Sequence, residues 1–345
     1  MKRFLAVGAA LLVAAAASVL AAAPASAQAA TQAATQAATQ AATGRLVLYT
    51  SQPQADAQAT IDAFRKAHPG VEVDFVRDGT TQLLSRLQAE FQAGAPQPDL
   101  LLIADAMAME QLKAQKRLAA FQDAALDGVP ESSYDRDRTY FGTKYITTGI
   151  IYNTKAAKRP ESFKDLLAPE AKGQVVMPSP LYSGAAAIFT GTLAAQPEFG
   201  PRFLEDLAAN GAVAVQGNGQ VRTQVAGGQK LYGIIVDFMA LNAKRDGSPV
   251  DFVFPSEGAV PVTEPVGILT TARNPVAAKA FVNFLVSAEG QRFAASQGYL
   301  PIRFDVQPPA TFPARDGIRM MAPPIAEILR NDEANKRRFA DLFGG

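Results

Sequence analysis

From residue 45 onward the chain switches repeatedly between short β-rich runs and longer stretches with apolar residues at helical spacing. RLVLYTS (45–51) predicts a strand, residues 55–66 a helix, and VEVDFV (71–76), which alternates at period two, a second strand. Leu83, Leu84, Leu87 and Phe91 form one apolar face of a helix predicted over 80–92. DLLLIA (99–104) is almost wholly apolar, which predicts a strand buried on both faces, and a helix follows over 107–115. This β-α-β-α-β-α order implies an α/β fold with a mainly parallel sheet covered by helices on both sides.

The middle of the chain repeats the theme. Strands are predicted over 145–152, 174–177, 231–236 (LYGIIV) and 250–254, and helices over 183–194, 199–210, 221–226 and from Asp237 to the Asp246-Gly247 stop. Residues 274–298 read as a long amphipathic helix or helix pair, opened by Asn274-Pro275 and closed by Gly298. Residues 308–324 are Pro-rich and irregular, and 325–339 return to helix. Two α/β lobes with several crossings between them account for this better than one very large sheet.

The ends change the picture. Lys2 and Arg3 precede an apolar run that breaks at Pro24 and ends in Ala25-Ser26-Ala27, the pattern of a secretory signal (1–27) cleaved before Gln28. The mature protein is therefore expected in the periplasm. Residues 28–44 carry a Thr-Gln-Ala-Ala repeat with too little apolar surface to offset the entropy of ordering, and read as a disordered spacer. The about three hundred residues that remain suffice for two lobes and a substantial core. The chain has no cysteine, which excludes both disulfides and a lipid-anchoring thiol. A net charge of +1 gives no reason to expect nucleic acid. Its single histidine, His68, falls in a helix-ending turn, and the sequence has no Gly-x-Ser-x-Gly elbow or Walker-type loop, so the inventory argues against an enzyme. No cofactor or metal is expected.

Five runs in order carry a resemblance: LYTS (48–51), VRDGTTQLLSRLQAE (76–90), KGQVVMPSPLYSG (172–184), KRDGSPVDFVFPSEG (244–258) and NPVAAKAFVNFLVSAEGQ (274–291). Together they resemble the extracellular solute-binding proteins of bacterial ABC importers, in the group of ferric-ion, hexose-phosphate and 2-aminoethylphosphonate receptors. The resemblance implies a type II periplasmic-binding-protein fold, hinge closure over a small ligand, and an ABC permease with its ATPase subunit as membrane partners, with the binding protein a monomer. It divides the chain into one lobe of residues 45–145 plus 265–315 and a second of 146–264 plus 316–345. Iron-binding members carry two adjacent tyrosines after the strand corresponding to 231–236, where this chain has Asp237-Phe238. Many of them also have a His after the first strand, where Ser51-Gln52 stand, and a Glu near the end of the third, where Ala104-Asp105 stand. Ferric iron prefers hard anionic oxygens, so the resemblance favours the phosphonate-binding members, whose Met-Pro-x-Pro-x-x-Ser-Gly run matches Met177 to Gly184, with a receptor for a sugar phosphate or other organic anion, or for ferric iron with a synergistic anion, as the alternatives.

A phosphoryl or phosphonyl group is well held by helix N-terminal amides and hydroxyls. Thr50-Ser51, Thr80-Thr81 and Ser183-Gly184 fall at predicted strand-to-helix turns and are the candidate cradle, with Gly79 and Gly184 open to close backbone approach. Thr80 and Ser183 would also serve as plain N-caps. Asp237, at the end of an apolar strand, is either an N-cap or the partner of a ligand ammonium, the latter giving a zwitterionic, 2-aminoethylphosphonate-like substrate. Phe238 packs on the ligand or fills the hinge core. Arg77 and Arg222 are candidate oxyanion clamps, although Arg77 could instead pair with Asp78. Tyr140 and Tyr145, near the first crossover, line the cleft or pack the hinge.

Overall fold

The computed structural model describes residues 42–344; the expected signal segment and nearly all of the spacer lie outside the described residues. Two mixed sheets organise the chain. The first has the order β2-β1-β3-β11-β4, with β1 (Gly44–Thr50), β2 (Val71–Arg77), β3 (Leu100–Leu102), β4 (Tyr140–Gly142) and β11 (Pro265–Ile268). The parallel trio β2-β1-β3 meets the expectation of a parallel sheet. The chain returning from the second lobe then lays β11 antiparallel between β3 and β4, which makes the sheet mixed. Helices α1 (Gln54–Ala67), α2 (Thr80–Gln92) and α3 (Ala106–Ala114) follow the first three strands. His68 is the C-cap of α1 and stacks on Phe64.

The second sheet has the order β10-β5-β8-β6-β7, from β5 (Ile146–Asn153), β6 (Val175–Pro178), β7 (Val213–Val215), β8 (Tyr232–Val236) and β10 (Val260–Val262), with β9 (Val250–Val253) also paired to β5. Its helices are α4 (Gly184–Ala195), α5 (Arg202–Ala209), α6 (Asn218–Ala226) and α7 (Asp237–Arg245). Strands in both sheets place successive side chains on opposite faces, and both faces are covered. Ile150 and Ile234 enter one core while Ile151 and Ile235 enter another. Leu100 and Leu102 likewise face away from Leu101.

The chain crosses from β4 to β5 through Thr143, Lys144 and Tyr145, and returns from β10 to β11 through Thr263 and Glu264. The long segment predicted over 274–298 is two helices, α8 (Pro275–Val286) and α9 (Ala288–Ser296). Ser287 is extended between them, caps the Gly290 amide at 3.0 Å and donates to the Phe284 carbonyl at 2.8 Å. A Cβ on Gly290 would lie 2.0 Å from the Phe284 carbonyl oxygen, so this bend needs glycine. The last helix, α10 (Ile325–Phe343), runs past the predicted end at 339 and packs against α4, α5 and α3. No helix among the described residues is long and apolar enough to cross a membrane.

Candidate functional site

The carboxyl ends of strands from both sheets converge on one cleft of about 370 Å³. In open α/β sheets this is where ligands bind, because strand ends deliver loops and helix N-termini to one place. The first lobe contributes Ser51 after β1, Arg77 to Thr80 after β2, Gln82 on α2 and Ala104 after β3. From the second lobe come Tyr182 and Ser183 after β6, residues 216–220 after β7, and Val236, Phe238 and Met239 around the start of α7. Glu264, on the return crossing, lies between them.

Among the helix N-termini on this cleft, those of α1, α2, α6 and α7 lack a side-chain cap. Gly79 is the N-cap of α2 and Gly217 that of α6, one from each lobe. A helix without a side-chain cap leaves first-turn N–H groups for solvent or a ligand, and its dipole favours an anion there. The N-terminus of α4 is instead capped by Ser183, whose Oγ accepts from the Ala186 amide at 3.3 Å. Arg77 adds a cation. Its Nε donates to the Gln52 carbonyl at 2.9 Å rather than to Asp78, whose Oδ1 instead accepts from the Gly79 amide at 2.7 Å.

Of the residues singled out in the sequence, Ser51, Gly79, Thr80, Ser183, Phe238 and Arg77 line the cleft. The others lie elsewhere. Thr50 is fully buried and its Oγ1 accepts from the Gln52 amide at 3.2 Å, a local turn bond. Gln52 sits behind the wall, donating to Glu264 at 3.4 Å. Thr81 and Arg222 are outside the lining, Arg222 on an exposed face of α6. Tyr140 donates to Glu110 within the first lobe, whereas Tyr145, whose hydroxyl shares a 3.4 Å bond with Ser133, packs against the cores of both lobes at the crossing, the hinge-packing alternative. Asp105 is the buried N-cap of α3, accepting from the Ala108 amide at 3.0 Å. What approaches Gly184 is this Asp105 from the opposite lobe: a Cβ on Gly184 would stand 2.7 Å from the Asp105 Cβ.

Asp237 corrects the expectation of a ligand ammonium. It is fully buried; its Oδ2 accepts from the Thr147 amide at 2.9 Å and hydroxyl at 2.7 Å, and its Oδ1 from the Phe238 amide at 2.7 Å. It ties α7 to β5 across the sheet, and burial pushes its carboxyl up to about 7 despite these donors. Asp237→Asn should cost about 2 kcal/mol, because an amide nitrogen would face one of those donors; urea denaturation checks this. Phe238 packs against Tyr299 with the rings tilted by 34° and their centroids 4.2 Å apart, while still reaching the cleft.

Sequence reasoning missed Gln82, Tyr182, the 216–220 segment and the hinge pair. Gln216-Gly217-Asn218-Gly219-Gln220, a Gly-rich turn ahead of a helix, was the available signal. Lys144 and Glu264 carried none, since their meaning depends on two crossings meeting. Their side chains are 2.5 Å apart, 3% and 2% exposed. Burial raises the Glu264 carboxyl above its usual range, against the opposing pull of Lys144.

The fold and cleft define a two-lobed α/β binding protein. The family model for bacterial extracellular solute-binding proteins matches residues 49–292, and the chain belongs to that family. It is similar to an uncharacterized protein of Haemophilus influenzae, 28% identical over 270 residues, 74% of this chain and 76% of that protein. Its fold is similar to that of the periplasmic binding protein AfuA from Actinobacillus pleuropneumoniae with fructose-6-phosphate bound, at a TM-score of 0.79 and 20% identity, covering 87% of this chain and 98% of AfuA. Iron-bound HitA from Pseudomonas aeruginosa matches at a TM-score of 0.76 and 21% identity, covering 86% and 99%. The fold is thus the type II periplasmic-binding fold, and the protein is a non-enzymatic, periplasmic substrate-binding protein of an ABC importer, with a small-molecule ligand and a permease partner.

Proposed function

We propose that this protein captures a small phosphorus-containing organic anion and hands it to its permease. The carrying observation is that uncapped helix N-termini from both lobes, among them those of α2 and α6 with their glycine N-caps, face a single cleft that also holds Arg77. Such an anion bridges both lobes and shifts the population toward the closed form. The lobes are residues 45–145 plus 265–315 and 146–264 plus 316–345. The signal segment is removed before Gln28, and a monomer docks on a permease served by an ATPase subunit.

Within this class, a hydroxyl-bearing phosphate ester fits better than 2-aminoethylphosphonate. Asp237 is walled off from the cleft, whereas the carboxamides of Gln82, Gln216 and Gln220 line it and suit hydroxyls. Fructose-6-phosphate, which is bound in the AfuA structure, is a natural probe. Ferric iron fits poorly: Tyr182 is the one phenol among the described lining residues, and the Glu264 carboxylate is held by Lys144.

Melting-temperature screening tests this reading, because a ligand of the native state raises apparent stability by mass action. Fructose-6-phosphate or 2-aminoethylphosphonate at a hundredfold excess over Kd should raise Tm by about 5 °C, with sulfate and ferric salts doing far less. A rise with ferric salts alone, accompanied by a visible charge-transfer band, would overturn it.

A further inference from the structure

Beside the cleft, the two lobes touch directly at the start of α3. Asp105 faces Gly184, the first residue of α4, so closely that a side-chain carbon on Gly184 would lie 2.7 Å from the Asp105 Cβ, 2.8 Å from the Ala104 carbonyl and 2.9 Å from the Asp105 Oδ2. Met107, two residues on, packs into the core of the second lobe together with Ala185 and Ile328. Helix α10 backs this seam, touching α3 of one lobe and α4 and α5 of the other. A carboxylate is thus enclosed where the lobes meet, 7% exposed, with the Ala108 amide as its close donor. Its charged neighbours are Lys336 and Asp332 of α10, of opposite sign and bonded to each other at 2.7 Å, while α4 presents Gly184.

We propose that Asp105 is a positioning residue for lobe closure: its apposition to Gly184 and α10 makes the closed form favour the protonated carboxyl, so that closing over the ligand is coupled to proton uptake. Asp105 acts through the seam and lies outside the cleft lining. The proposal rests on the hinged solute-binding reading above. Opening the seam returns Asp105 to water and to an ordinary carboxylate pKa. Closing it desolvates the group and pushes the carboxyl up to about 6. The sign follows. The closed form holds its proton over a range where the open form has lost it, so closure weakens as pH rises through that range and levels off above about 6. Between pH 5 and 7.5 the closed-to-open ratio should fall about tenfold.

The experiment uses the ligand-free chain, which avoids titration of the ligand itself. The native sequence has no cysteine, so Ser85→Cys on the first lobe and Thr223→Cys on the second, both at exposed positions, take a spin-label pair cleanly. Gly184→Ala wedges the seam and supplies the open distance. The wild-type distance should move toward the Gly184→Ala value between pH 5 and 7.5, while Asp105→Asn, which keeps an acceptor for the Ala108 amide, should stay fixed. Equal pH responses in wild type and Asp105→Asn, or Gly184→Ala at the wild-type distance, would overturn the proposal. A wild-type distance that ignores pH yet shortens on adding fructose-6-phosphate overturns the proposal and leaves the hinge; a distance that no variant and no anion moves overturns both.

Discussion

Gly217→Asp is expected to leave the fold as stable as before, or steadier by about 0.5 kcal/mol, while cutting affinity for a phosphoryl anion by about a hundredfold. The two effects have one cause. Gly217 is the N-cap of α6, its φ of −166° and ψ of 174° are open to any residue, and a Cβ there meets nothing within 4 Å. A carboxylate at that position accepts from first-turn amides and complements the helix dipole, which steadies the helix. It thereby takes the donors the ligand needs and sets a like charge in the cleft, and a charge-assisted hydrogen bond contributes about 1.5–3 kcal/mol. Gly217→Ser, which caps without charge, should lose less. Calorimetric titration with fructose-6-phosphate measures both variants. Unchanged affinity in Gly217→Asp would remove α6 from the anion site.

How far the sequence foretells this arrangement depends on the length scale of each signal. Runs such as DLLLIA and LYGIIV are almost wholly apolar because both faces of their strands are buried, so they announce themselves locally. β4, β7, β10 and β11 have three or four residues each, too few for any period to show, and they take their places through neighbours far along the chain. The same contrast runs through the site. Ser51, Thr80 and Ser183 are legible because hydroxyls at strand-to-helix turns are a local pattern, and all three reach the cleft. Asp237 sits at just such a turn but points inward, since Thr147 on the adjacent β5 offers two donors, a fact carried by sheet pairing. Gly184 is legible as a place of close approach, though what approaches is the other lobe.

Lys144→Met should be the most damaging single change in the hinge, costing about 3–5 kcal/mol of unfolding free energy. Lys144 lies on the outward crossing and Glu264 on the return crossing, so their 2.5 Å ion pair ties the two connections together. Further contacts hold it: Lys144 lies 4.3 Å from the Tyr299 ring centroid, Gln52 donates to Glu264, and Tyr299 donates to Asp56 at 2.5 Å. Removing the lysine strands a carboxylate with 2% exposure, and the penalty is the desolvation of that charge, not the modest net gain of the pair. Lys144→Met combined with Glu264→Gln should therefore recover most of the loss, a coupling that a double-mutant cycle reads directly. The pH dependence separates this from lost packing. Burial raises the Glu264 carboxyl, and without the lysine nothing equivalent opposes it, so the group protonates more readily in the folded variant. A raised native pKa stabilises below that pKa and is lost above it, so the deficit of Lys144→Met should shrink as pH falls. Urea denaturation across acid and neutral pH measures it, and a deficit that stays constant with pH would assign the loss to packing against Tyr299 instead of to the stranded charge.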